Sequence, residues 1–326
     1  MKHISILVPL GQNNLSSIIG AYKILKRANS YAAEHGKKTY KLELVGVCGE
    51  VDFHEGLFFV KPEALISEVQ HTDLMIIPSL NHNYEQAIDG NENLIKWIVK
   101  HYNNGAEVAS ICTGAFLLAA SGLLDGRNCS THWAFADRFR KMFPKINLQP
   151  DKLITDEHGI YTNGGAFSFL NLMLYLVEKY FDRETTIFCS KIFQIEMDRD
   201  SQAEFIIFRG QKTHGDELIM EAQQYIESNL QVKISMESLS SDLAIGRRNF
   251  DRRFIKATGN TPVEYAQRVK VEAAKKAFET SRKQINEVMY EVGYSDVKAF
   301  REVFRKVTGM SPLEYRRKYN KEAAAV

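Results

Sequence analysis

The stretch VGYSDVKAFREVFRKVTGMSPLEYR, residues 292–316, has a counterpart 50 positions earlier, DLAIGRRNFDRRFIKATGNTPVEYA, residues 242–266. Phe250, Phe254, Lys256, Thr258, Gly259, Pro262, Glu264 and Tyr265 return as Phe300, Phe304, Lys306, Thr308, Gly309, Pro312, Glu314 and Tyr315. A self-match at a fixed offset marks a repeated supersecondary unit, and two copies make a tandem pair rather than a solenoid. Each copy reads as a short helix, a turn and a second helix. Leu239 and Leu243 share one helical face, as i,i+4 spacing requires. The run 244–246 breaks that helix, and a second over 247–257 buries Phe250 and Phe254. Gly259 ends it in the left-handed conformation that costs glycine little. Thr261-Pro262 opens the next helix with a side-chain cap and a proline at the first helical position. In the later copy Val288 and Val292 supply the first face, 293–296 the turn, 297–307 the second helix, and Ser311-Pro312 the last cap. Asp296 fits the N-cap position that Gly246 fills in the earlier copy.

These residues resemble the signature of AraC-type transcriptional regulators, two helix-turn-helix subdomains joined by a linking helix, here 262–279. The resemblance covers the last third of the chain and implies an all-α module that binds double-stranded DNA. It assigns base or phosphate contact to Arg247, Arg248, Asn249, Arg252 and Arg253 in the earlier copy. In the later one it assigns Asp296, Lys298, Ala299, Arg301 and Arg305. Arginine and asparagine can pair bidentately with guanine or adenine edges, while other cations position the protein on phosphate. Arg253 and Arg305 can equally cover the hydrophobic seam with their stems.

Composition agrees with such a partner only by its distribution. The net charge of the 326 residues is +2. From Gln231 onward, 20 Lys+Arg face 12 Asp+Glu, giving +8, and the remaining 22 against 28 give −6. A basic tail on an acidic body is the asymmetry expected when one part meets phosphates. Four cysteines without a CxxC pair argue for a reducing compartment and against structural zinc. The N-terminus lacks the pattern of a signal peptide, and no apolar run reaches membrane-spanning length. The expected location is the cytoplasm, with no metal and no cofactor.

The first two-thirds alternates strands and helices: strand 3–9, helix 15–33, strand 41–47, a hairpin-like excursion over 49–60, helix 62–70, strand 73–77, helix 91–103, strand 107–111. This implies right-handed βαβ units around a doubly wound, mainly parallel α/β sheet, with ligands at the carboxyl ends of the strands. Cys112 stands at such an end. Residues 110–116 run from strand to helix in a sharp turn, where a helix N-terminus lowers a thiol pKa and small residues such as Gly114 let the helix approach. A reactive or ligand-contacting thiol and an inert buried cysteine both satisfy this spacing.

The stretch ICTGAFLLAASGLLDG, residues 111–126, continuing to Thr131-His132-Trp133, and 162–165 before a long apolar helix over 167–181, resemble the PfpI-like, flavodoxin-like branch of the class I glutamine-amidotransferase-like superfamily. The likeness covers about residues 1–200. It is the branch found in front of AraC-type DNA-binding modules. The enzymes of that superfamily pair the elbow cysteine with a histidine, often the next residue, and with an acid near the first loop. Here Thr113 follows the cysteine, and 13–17 contains no Asp or Glu. The regulators carry an acid about where Ser17 falls. The resemblance therefore implies a pocket that binds a small-molecule effector without turnover, lined by Asn13, Ser79, Cys112, Thr113 and His132, in a domain that forms homodimers. The expected division is a sensor domain over 1–198, a linker over 199–215 and a DNA-binding domain over 216–320. The competing expectation is a cysteine-dependent amidase or hydrolase using Cys112.

Overall fold

The computed structural model describes residues 2–11, 13–81, 83–212 and 214–320. Gln12, His82 and Thr213 lie outside the described residues, as do residues 1 and 321–326. The chain forms two compact units, divided between Gln202 and Ala203.

In the first unit a seven-stranded sheet runs in the order Ile154–Glu157, Ile160–Asn163, Glu107–Ser110, Leu74–Ile77, His3–Val8, Lys41–Gly46, Ala64–Leu65. Every pairing is parallel except that of Ile154–Glu157 with Ile160–Asn163. Strand period 2 sorts the apolar run into two cores. Ile4, Ile6, Val8, Leu74 and Ile76 face helices Leu15–Glu34, Phe169–Tyr180 and Arg183–Phe193. Leu7, Met75 and Ile77 face Glu92–Asn103 and Ala115–Ala120. Helices on both faces of a mainly parallel sheet give the doubly wound architecture expected.

One local expectation fails, and one helix escapes the sequence pattern. Residues 62–70 do not form a helix, because Glu63 N–H donates to Leu44 O at 2.8 Å and Ile66 N–H to Gly46 O at 2.9 Å. That backbone pairing draws the segment in as the edge strand Ala64–Leu65. A short helix, Tyr84–Gly90, follows the loop after Leu80; only Tyr84 in it is buried, so it has no readable period.

The second unit is all-α among its described residues: Glu217–Ser228, Met236–Asp242, Arg247–Thr258, Pro262–Thr280, Ile285–Glu291, Val297–Thr308 and Pro312–Tyr319. Gly259 and Gly309 end the second helix of each copy at φ +69° and +78°. Thr261 with Glu264, and Ser311 with Glu314, close reciprocal capping boxes in front of Pro262–Thr280 and Pro312–Tyr319. The stretch after Gln202 is bonded along this unit. Lys275 Nζ donates to Ile206 O (2.5 Å), Phe208 N–H to Glu272 (3.1 Å), and Lys318 to Glu204 (2.6 Å). Asp200 and Gln202, by contrast, bond backbone to backbone with Leu153 and Asp151 of the first unit.

Candidate functional site

Glu107–Ser110 lies inside the sheet, and Ile111 carries it into a tight turn at Cys112–Gly114. Cys112 takes φ +53°, a left-handed conformation that costs a non-glycine residue about 1–3 kcal/mol. The chain can turn this sharply because Gly114 has no side chain: a Cβ there would stand 2.5 Å from Pro78 O. Thr113 ties the turn to the neighbouring strand end. Its hydroxyl meets the Ser79 hydroxyl at 2.8 Å, accepts from Leu80 N–H at 3.0 Å and lies 2.7 Å from Leu80 O. Ser79 N–H donates to the Ser17 hydroxyl at 3.1 Å, and that hydroxyl donates to Asn14 O at 2.7 Å. Asn13, fully buried, donates to Pro9 O at 2.7 Å, while its Oδ1 has no partner among the described residues. Asn13, Ser79, Cys112 and Thr113 thus converge through adjoining strand ends.

His132 is held differently. Its Nδ1 accepts from Ala134 N–H at 3.1 Å, capping the turn Trp133–Phe135, and its ring packs against Trp133 and Phe135. Burial lowers its pKa, favouring the neutral imidazole. Among the described residues it makes no hydrogen bond to Cys112. Burial also pushes the Cys112 thiol up; the Ser79 hydroxyl and the Thr113 N–H and hydroxyl pull the other way without cancelling it. Desolvation is the largest of these effects, in keeping with a residue only 4% exposed.

On the second unit, Arg248, Asn249 and Arg252 are exposed on Arg247–Thr258, and Asp296, Lys298, Ala299, Arg301 and Arg305 on and before Val297–Thr308. The opposite faces bury Phe250, Phe254, Phe300 and Phe304. Five assigned side chains have intramolecular work, Arg252 donating to Asn249 Oδ1 at 2.9 Å. Arg247 pairs with Asp251 at 3.0 Å, Arg253 grips Asp216 with two bonds at 2.6 and 3.0 Å, and Asp296 caps its helix through Ala299 N–H at 2.7 Å. Lys298 and Arg301 have no ion-pair partner among the described residues.

Residues 5–179 match the DJ-1/PfpI family, and residues 239–318 match the helix-turn-helix domain. The chain belongs to the DJ-1/PfpI family. It is 22% identical over 293 residues to the HTH-type transcriptional regulator GbdR of Pseudomonas aeruginosa, covering 90% of this chain and 78% of that one. Against isonitrile hydratase of Pseudomonas putida it is 29% identical over 93 residues, 28% of this chain and 37% of the enzyme. The crystal structure of a putative transcriptional regulator from Vibrio parahaemolyticus aligns at a TM-score of 0.53 with 26% identity, over 59% of this chain and 98% of that one.

Within this DJ-1/PfpI domain two site residues escaped the sequence. The Thr131 hydroxyl donates to Cys112 O at 2.9 Å, and Thr131 O accepts from the Gln202 amide at 2.9 Å. Gln202 is fully buried, and it is the last residue of the domain. Nothing in a Ser-Thr-His run or a single Gln within a polar stretch signals that link, because 71 residues separate its ends.

Proposed function

We propose that the chain is a sequence-specific transcriptional regulator whose AraC-type module reads duplex DNA and whose DJ-1/PfpI domain binds a small-molecule effector, pairs with a second copy and does not turn its ligand over. The observation that carries the reading is the doubled helix-turn-helix with a cationic outer face on each second helix. Arg248, Asn249, Arg252, Lys298, Arg301 and Arg305 meet base edges or phosphates, and Ala299 offers an apolar contact to a thymine methyl. Arg247, Arg253 and Asp296 act at the same surface by orienting it. The test is enrichment of duplexes from a random library by the full-length protein, followed by a salt titration. Replacing Arg252 and Lys298 with Ala lowers the salt slope by about 2, at roughly 0.9 per phosphate contact. A protein that enriches no duplex over bulk competitor ends this reading.

Binding without turnover is supported by the raised, buried Cys112 thiol, by Thr113 where a base would stand and by the Ser17 hydroxyl engaged with backbone. The effector site is supported by Asn13 Oδ1, which has no partner among the described residues, beside an elbow that Thr131 ties by hydrogen bonds to Gln202. Pairing is supported by an apolar groove lined by Ile19, Tyr22, Phe58 and Phe59, with Phe59 58% exposed. Phe58→Glu then yields a monomer by light scattering. The hydrolase reading rests on the strained elbow and on the likeness to isonitrile hydratase. Turnover by the wild type that disappears in Cys112→Ala would establish it.

A further inference from the structure

The two helix-turn-helix copies have separate cores. Ile219, Phe250, Phe254 and Tyr265 form one, and Phe278, Val288, Phe300, Phe304 and Tyr315 the other. Helix Pro262–Thr280 serves both: Ala266 belongs to the first core and Val271 to the second. Lys270 stands at that change of core and is only 9% exposed. Its Nζ donates to Val232 O at 3.2 Å and to Gly293 O at 3.4 Å, and lies 5.5 Å from the centre of the Tyr294 ring. Val232 leads into the first copy, and Gly293 begins the turn of the second. The backbones of the two copies come together at this point. Gly293 has φ +74°, and a Cβ on it would stand 2.4 Å from Leu230 O and 2.7 Å from Lys270 Nζ.

Burying an ammonium is costly, and no carboxylate pairs with this one among the described residues. Burial lowers its pKa, as an unpaired cation requires. A methionine would fill the same space without that cost. What methionine lacks is a donor directed at two carbonyls from different copies. We propose that Lys270 is a positioning residue that fixes the setting of one recognition helix against the other, and so the spacing of the two DNA segments the module accepts. This rests on the reading of both helices as DNA readers. One base pair is about 3.4 Å of rise and a tenth of a turn, so a held setting discriminates against a one-base-pair insertion.

The test uses the full-length chain. Duplexes enriched by the wild type from a random library are compared with the same duplexes carrying one base pair inserted between their two contacted segments. The wild type loses tenfold or more in affinity on insertion. Lys270→Met binds the parent duplex but shows a penalty at least threefold smaller; a penalty equal to the wild type's overturns the proposal. Independently, spin labels at Lys256→Cys and Lys306→Cys, in a Cys48→Ser background, report the distance between the helices without DNA. That distribution is narrow in the wild type and broadens or shifts in Lys270→Met. An unchanged distribution also overturns the proposal. Gly293→Ala, which forces the backbones apart while keeping the lysine, carries both readouts should Lys270→Met fail to fold. A library from which the wild type enriches nothing removes the DNA reading and the spacing claim with it, while the distances still report whether Lys270 couples the copies.

Discussion

The two helix-turn-helix copies share a scaffold and differ on the surface that faces outward. Inside, Phe250 and Phe254 repeat as Phe300 and Phe304. Thr258 and Thr308 each bond the carbonyl four residues back at 2.8 Å. Tyr265 reaches Glu227 at 2.6 Å as Tyr315 reaches Glu279 at 2.5 Å. Around that core, Asp251 stands opposite Arg301 and Arg252 opposite Glu302, while Arg247 and Arg253 give way to Val297 and Val303, which pack against the second core. In the earlier helix Arg247 and Arg253 are held by Asp251 and Asp216, whereas in the later helix Lys298 and Arg301 have no ion-pair partner among the described residues. Duplication therefore kept the phenylalanine pair and its threonine and tyrosine bonds and changed the charge pattern around them. The two helices present different side chains to solvent.

That comparison breaks most visibly in the cores. Phe254→Ala and Phe304→Ala each remove a fully buried ring, and each costs about 3–5 kcal/mol; urea unfolding in which either loss is under about 1 kcal/mol refutes equivalent packing. A device present only in the earlier copy comes next. Asp216→Ala removes the N-cap of Glu217–Ser228 together with the grip on Arg253, a loss of about 1–2 kcal/mol. The Arg253 guanidinium holds Asp216 below the usual carboxylate range. Its contribution is therefore full above the unfolded-state pKa and disappears as pH falls through the folded one. Melting curves of wild type and Asp216→Ala should converge on acidification, and a constant gap would assign the loss to something other than the carboxylate.

Tyr265→Phe and Tyr315→Phe cost about 1 kcal/mol each. The loss is larger at Tyr265, because Glu227 is half-buried and Glu279 is exposed; equal losses in thermal melts would erase that distinction. The smallest effect is a swap of caps. Asp296→Gly destabilises and Gly246→Asp stabilises, each by a few tenths of a kcal/mol. Gly246 has φ −64° and ψ 138°, with nothing within 4 Å of an added Cβ, so the new side chain is accommodated. A loss on Gly246→Asp would mean the first turn does not tolerate an anion there.

The repeated scaffold was legible because its signals are local. Proline, glycine and capping residues sit at fixed offsets and act within one helical turn, so the helices expected over 247–257, 262–279 and 297–307 lie within a residue of Arg247–Thr258, Pro262–Thr280 and Val297–Thr308. The sheet was legible for a similar reason, since short apolar runs alternate with amphipathic helices. Residues 62–70 were misread because their conformation is decided by Leu44 and Gly46, which no local pattern announces. The elbow at Cys112 was visible, but its chemistry was not: thiol pKa depends on burial, and burial is a property of the whole domain. Lys270 was invisible for the converse reason. A lysine on an amphipathic helix reads as solvent-facing, and only two distant carbonyls make it otherwise.

The bonds from Ile206 and Phe208 to Lys275 and Glu272 bear on how the tail can be severed from the rest. A fragment beginning at Ala203 keeps that girdle around its central helix, with Lys318 still clasping Glu204. One beginning at Asp216 strips the Ile206 carbonyl from Lys275 and leaves its ammonium to Glu272, 2.9 Å away. The natural place to cut this polypeptide is thus well upstream of the first helix of the reader, inside what looks, as letters on a page, like a mere tether.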